Sequence, residues 1–138
     1  MNHNMKSIFN AIKKLPLMAA LMLLAGCAVP AEKPAFHQVT ANEAIAIMEQ
    51  ETDYIILDVR RPDEFAERHI PGAINIPNES IGSQPIPQLP DRDQLILVYC
   101  RSGNRSKQAS AKLAALGYTN IVEFGGINSW PGETVSGE

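Results

Sequence analysis

A chain of 138 residues, 45% hydrophobic and 20% charged, holds one domain's worth of ordinary globular protein. Twelve Lys+Arg against fifteen Asp+Glu give a net charge of −3, which argues against nucleic acid as a partner.

The first 26 residues differ from the rest. Lys6, Lys13 and Lys14 precede an apolar run from Leu15 to Gly26 interrupted only by Pro16. That run is too short to span a bilayer as a mature helix and suits a secretory signal peptide. It ends Leu24-Ala25-Gly26-Cys27, which resembles a bacterial lipobox, whose cysteine is lipidated and becomes the mature amino terminus. Lipidation at Cys27 implies a membrane partner reached through a lipid anchor, stable when two or more acyl chains are attached. Ala28 after the cysteine resembles the class destined for the outer membrane of two-membrane bacteria. The expected location is therefore the cell envelope, at the outer membrane and facing the periplasm. Loss of the leader removes three lysines and no acid, leaving nine basic residues against fifteen acidic ones, a net of −6.

Residues 27–36 carry two prolines and little periodicity and are expected to be a tether to the domain at 37–132. Thr40 followed by Glu43 is a capping box, opening a helix through about Gln50 with Ala44, Ile45 and Met48 inward. Tyr54 to Asp58 is a β run, buried if the sheet is parallel. Pro62 fits the first turn of a short helix whose Phe65 faces the core, and Pro71-Gly72 ends it. Ile74 and Ile76 alternate in a brief strand. Residues 77–91 hold Pro77, Pro85, Pro87 and Pro90 and are expected to form a rim. Asn120 to Glu123 makes one more short strand, and residues 133–138 form a C-terminal tail. Strands alternating with helices predict an α/β domain, a central and mostly parallel sheet flanked by helices.

The stretch Leu95 to Ser110 carries the chemistry. The apolar run Leu95–Tyr99 ends abruptly in Cys100, and from Arg105 the residues Ala109, Leu113 and Leu116 recur at helical spacing, with Gly117 at the expected cap. Cys100 therefore stands at a strand's carboxyl end, where α/β sheets bind ligands, and its loop opens a helix. Unpaired N–H groups of that first turn, the helix dipole, Gly103, and the charges of Arg101 and Arg105 all favour an anion. Such surroundings lower a thiol's pKa, and the thiolate is the nucleophile. If Cys27 is lipidated, Cys100 has no partner within the chain, an unusual state for an exported thiol. The three histidines, of which His3 leaves with the leader, are too few to build a metal site, and no cofactor is expected.

The segment Cys100-Arg101-Ser102-Gly103-Asn104-Arg105-Ser106 resembles the active-site loop of single-domain rhodaneses, the thiosulfate sulfurtransferase family. Three further pieces match in order: Ile56-Leu57-Asp58-Val59-Arg60 with Glu64-Phe65, His69 through Pro77, and Phe124 through Trp130. The resemblance implies a rhodanese-like fold and covalent two-step sulfur transfer. In it Cys100 attacks a small anionic sulfane-sulfur donor such as thiosulfate, forms a persulfide and passes the outer sulfur to cyanide, a thiol or a protein acceptor. Residues Arg101, Ser102, Gly103, Asn104, Arg105 and Ser106 would cradle the transferred sulfur. The resemblance also assigns Asp58 and Arg60, with Glu64, to tying loops together, and His69 to a structural turn.

Two rivals differ in class. Phosphatases that share this fold place five residues between Cys and Arg, whereas four, Arg101 to Asn104, intervene here, which favours a sulfur atom. A non-enzymatic sulfur carrier, redox sensor or partner-binding module in the envelope is the other. Rhodanese-like domains that merely bind partners often lack the cysteine, which this chain keeps.

Overall fold

The computed structural model describes residues 34–138; the expected leader, Cys27 and most of the tether lie outside the described residues. In chain order the elements are β1 (His37–Gln38), α1 (Ala41–Gln50), β2 (Tyr54–Asp58), α2 (Pro62–Glu67), β3 (Ile74–Asn75), β4 (Leu95–Cys100), α3 (Asn104–Ala115) and β5 (Ile121–Gly126). The five strands form one sheet in the order β1-β5-β4-β2-β3, and every pairing is parallel. The α/β expectation holds, and the sheet is wholly parallel.

Burial follows the two-residue period of a strand. Along β4, Ile96, Val98 and Cys100 face one core with Ala109 and Leu113 of α3, while Leu97 and Tyr99 face the other with Ala44 of α1. The capping box forms: Thr40 Oγ1 accepts the Glu43 N–H at 3.2 Å, and Glu43 Oε2 accepts the Thr40 N–H at 2.8 Å. Gly117 takes the left-handed conformation that closes α3, at φ 96°.

Several expectations need correction. Ile47, not Ile45, joins Met48 against the α1-side core. Phe65 packs in neither core; it is half-buried and stacks on His69, ring centroids 3.8 Å apart. Phe36, assigned to the tether, packs on the α3-side core, and the unanticipated β1 follows it. β5 runs past Glu123 to Gly126. The expected tail is tied to the domain: His69 and Val135 exchange backbone hydrogen bonds at 2.8 and 2.9 Å, and the Gly137 N–H reaches Ala66 O.

The largest correction concerns residues 77–91. Ile81, Ile86 and Leu89 of this Pro-rich connection are 3%, 9% and 0% exposed and belong to the α3-side core. The reason lies in α3, whose fully buried positions are two serines, Ser106 and Ser110, besides Ala109 and Leu113. So small a face leaves the sheet around Leu57 and Ile96 uncovered, and the connection fills the space. Asn78 and Tyr118 fasten it, through Asn78 to Gln108 at 2.9 Å, Lys112 Nζ to Asn78 O at 2.9 Å and the Tyr118 hydroxyl to Leu89 O. Leu89→Ala is expected to lower stability by about 2–5 kcal/mol in a urea titration. A rim residue at that position would cost close to nothing.

Candidate active site

Cys100 closes β4, and its side chain is 1% exposed. Its neighbours Arg101, Ser102 and Asn104 are exposed, so the sulfur lies just beneath a single layer of loop. The chain then turns through Gly103, at φ 114°, into α3. Only glycine adopts that angle freely, and here it aims the Gly103 N–H at the Cys100 sulfur, 3.0 Å away.

β5 supplies the other wall. Val98 pairs with Glu123 but Cys100 pairs with Gly126, so β5 carries one extra residue in a bulge, with Gly125 at φ 88°. Gly126 matters for space: a Cβ there would lie 2.0 Å from Arg101 O and 2.5 Å from Ser102 N. The loop can therefore lie against β5 only because position 126 has no side chain. Just beyond, the Asn128 N–H donates to Arg101 O at 3.2 Å.

Under the loop, the expected Ser106 meets a carboxyl that sequence reasoning missed, Glu123. Ser106 Oγ accepts from the Cys100 thiol at 3.4 Å and stands 2.6 Å from Oε1 of Glu123, which also accepts the Gly125 N–H at 2.8 Å. Glu123 is 2% exposed.

Comparison with known proteins bears on this arrangement. Residues 40–133 match the rhodanese-like domain family. The chain belongs to that family. Over 71 residues it is 37% identical to the thiosulfate sulfurtransferase PspE of Escherichia coli, covering 51% of this chain and 68% of that one. It is 32% identical over 107 residues to the thiosulfate sulfurtransferase GlpE of Pseudomonas entomophila, covering 74% and 94%. Among solved structures it is similar to a rhodanese with anions from E. coli, at 33% identity and a TM-score of 0.56, covering 61% of this chain and 99% of that one.

In this rhodanese-like domain, burial pushes the Cys100 thiol up. The Ser106 hydroxyl and the N–H groups of Ser106, Gly103 and Ser102 outweigh it, and the net shift is below an ordinary thiol. The expected cradle is thus present mainly as backbone donors. Arg105 does not aim its guanidinium into the loop. Its Nη1 and Nη2 reach Glu64 at 2.8 and 3.2 Å, joining α3 to α2. That pair raises Arg105 and lowers Glu64, each held in its charged form chiefly by the other, and the Cys100 sulfur raises Arg105 further.

Asp58 and Arg60 form a buried pair, with Arg60 Nη2 2.6 Å from Asp58 Oδ2 and Nε 3.0 Å from Oδ1. Arg60 also donates to Arg68 O, and Asn75 bridges the Asp58 and Arg60 carbonyls at 3.0 and 2.9 Å. The hydrogen bonds of the pair run to each other and to a backbone carbonyl, the pattern of a loop tie. His69 is likewise engaged, its Nδ1 2.8 Å from Phe65 O.

Beside the loop opens a cleft of about 520 Å³ whose wall mixes Arg60, Arg61, Arg68 and Arg101 with Asp63, Glu64 and Glu67, beside Asn128. Another cavity, at the amino ends of β2 and β4, is lined by Glu51, Asp53, Asp91 and Asp93 and would repel anions. The first lies where parallel sheets bind ligands.

Because donors outweigh burial at Cys100, its alkylation by iodoacetamide should rise with pH around a midpoint below that of an ordinary thiol, about 8.5. Gly126→Ala should push the loop off β5 and move that curve to higher pH. An unshifted curve would mean that the loop does not set the sulfur's charge.

Proposed function

We propose that the domain transfers sulfane sulfur through a persulfide on Cys100. The thiolate attacks the outer sulfur of a donor such as thiosulfate; an S–S bond forms to Cys100 as the donor's S–S bond breaks and sulfite leaves with the electron pair. A thiol or cyanide then attacks the outer sulfur, and Cys100 departs again as thiolate. Charge balances in both steps, so neither metal nor redox cofactor is required.

One observation carries this reading: a strand-end sulfur faced by loop N–H groups, with Gly103 N at 3.0 Å, in a loop whose Arg101 lines a neighbouring cleft. The terminal persulfide sulfur is anionic, and the same donors that favour the thiolate favour it. The names of both relatives support thiosulfate as donor. A phosphatase is disfavoured by Arg105, whose fork is occupied by Glu64 rather than open to three phosphoryl oxygens.

The anchoring expectation belongs to the same proposal. Cys27 would hold the domain at the outer membrane through acyl chains, leaving Cys100 as the free thiol of the mature protein. Intact-mass measurement of the protein from membranes should show a chain beginning at Cys27 and carrying lipid; an unprocessed Met1 start would contradict the anchor.

Turnover with thiosulfate and cyanide tests the chemistry. Cys100→Ser should abolish thiocyanate formation with the circular dichroism spectrum unchanged, whereas retained turnover would place the chemistry elsewhere. Arg105→Ala should lower the rate less, about tenfold, because the backbone donors remain.

A further inference from the structure

Glu123 is a buried carboxyl with no basic side chain bonded to it among the described residues. It lies in β5 between two other strands, β1 and β4, so both edges of its strand are paired, and its side chain is shut from solvent. A carboxylate in such a place is costly unless hydrogen bonds or a proton compensate. Its contacts lead toward Cys100, because Oε1 stands 2.6 Å from Ser106 Oγ.

The Ser106 hydroxyl decides what this contact does. It has one proton and four acceptors in reach: Glu123 Oε1 at 2.6 Å, Gly103 O at 3.0 Å, Gly125 O at 3.3 Å and the Cys100 sulfur at 3.4 Å. With Glu123 ionised, the short contact draws the proton toward the carboxylate. Ser106 then serves Cys100 only as an acceptor from the S–H, which favours the neutral thiol. With Glu123 protonated, the direction reverses: the carboxyl donates to Ser106, and Ser106 donates to the sulfur. A hydroxyl cannot serve both anions at once.

We propose that Glu123 is a positioning residue that stores the proton Cys100 gives up, with Ser106 as the link. The S–H bond breaks as its proton passes to Ser106 Oγ, and the Ser106 proton passes to the Glu123 carboxyl. No electrons are transferred, and the pair keeps one negative charge throughout, moved from carboxylate to sulfur. Burial favours this arrangement because two adjacent anions never coexist under the loop. The inference rests on Cys100 being the sulfur-carrying nucleophile.

Other charges around the pair are accounted for. Arg105 is engaged by Glu64, and Glu79 acts on Arg105 from the connection. Arg101 extends from the loop into the cleft. On the β1 side, His37 pairs in register with Val122, next to Glu123, and is exposed.

Glu123→Gln separates proton storage from shape. The Gly125 N–H, 2.8 Å from Oε1, admits only the amide oxygen at that place. That oxygen accepts from Ser106, cannot take up the thiol proton, and so denies the sulfur its donor. Alkylation of Cys100 at neutral pH should slow about tenfold, one charge-assisted hydrogen bond's worth, and recover at alkaline pH.

The deciding readout is infrared spectroscopy at neutral pH. The carbonyl band of a neutral buried carboxylic acid should be present in the wild type and absent in Glu123→Gln. It should be absent also in Cys100→Ser, where no thiol proton is available to store. A wild-type spectrum without the band, or a band that persists in Cys100→Ser, overturns the proposal. So does a folded Glu123→Gln protein alkylated at the wild-type rate; should that variant not fold, the other two spectra decide. Neither readout uses a sulfur donor. Thiocyanate formation without an acid band would refute the proton store alone, and its absence would refute the sulfur-transfer reading instead.

Discussion

The Gly103 N–H directed at the Cys100 sulfur is the contact on which the rest of the site depends. It exists because a strand stops and a helix starts within four residues, which turns the unpaired amides of the first turn back toward the strand's last side chain. Two glycines make the geometry possible for different reasons. Gly103 supplies a left-handed backbone angle, and Gly126 supplies the absence of a Cβ where the loop crosses β5. Remove either condition and the sulfur faces only the α3-side hydrophobic core, where burial alone would keep it a neutral thiol.

Around that contact the parallel sheet sorts its functions by end and by face. Cys100, Asp58 and Arg60 lie at or just past the carboxyl ends of β4 and β2. The Asp58–Arg60 pair and the Glu64–Arg105 pair fix the walls on either side of the loop. Breaking the first by removing one partner would leave a buried charge unpaired, at a large cost in stability. The second holds α2 to α3, with Glu64 on the wall of the cleft. Rigidity at the walls leaves the loop as the part that shapes the sulfur's surroundings.

Much of this was legible in residue order. The apolar run Leu95–Tyr99 ending in Cys100, the Thr40/Glu43 capping box and Gly117 each carry a local physical signature, and each formed as expected. The misses share a cause in tertiary packing. Prolines at 77, 85, 87 and 90 suggest an outer loop, yet Ile81 and Leu89 are buried because α3 offers too small an apolar face. β1 has two residues, too few for any period to show. Arg105 looked free to meet an anion, and only the approach of α2 reveals that Glu64 occupies it.

Glu123 is the instructive case. A glutamate within Ile121-Val122-Glu123-Phe124 looks like the solvent side of a strand, but an interior strand of a parallel sheet has no solvent side. The signal was available once the sheet order was known, and with it the serine of the loop acquires a partner on its far side. The central claim is that Cys100, so held, accepts a sulfur atom. Mass spectrometry of the tryptic Cys100 peptide after incubation with thiosulfate, under non-reducing conditions, tests it most directly. The account predicts a gain of one sulfur on that peptide, removed by cyanide; an unmodified peptide would contradict it.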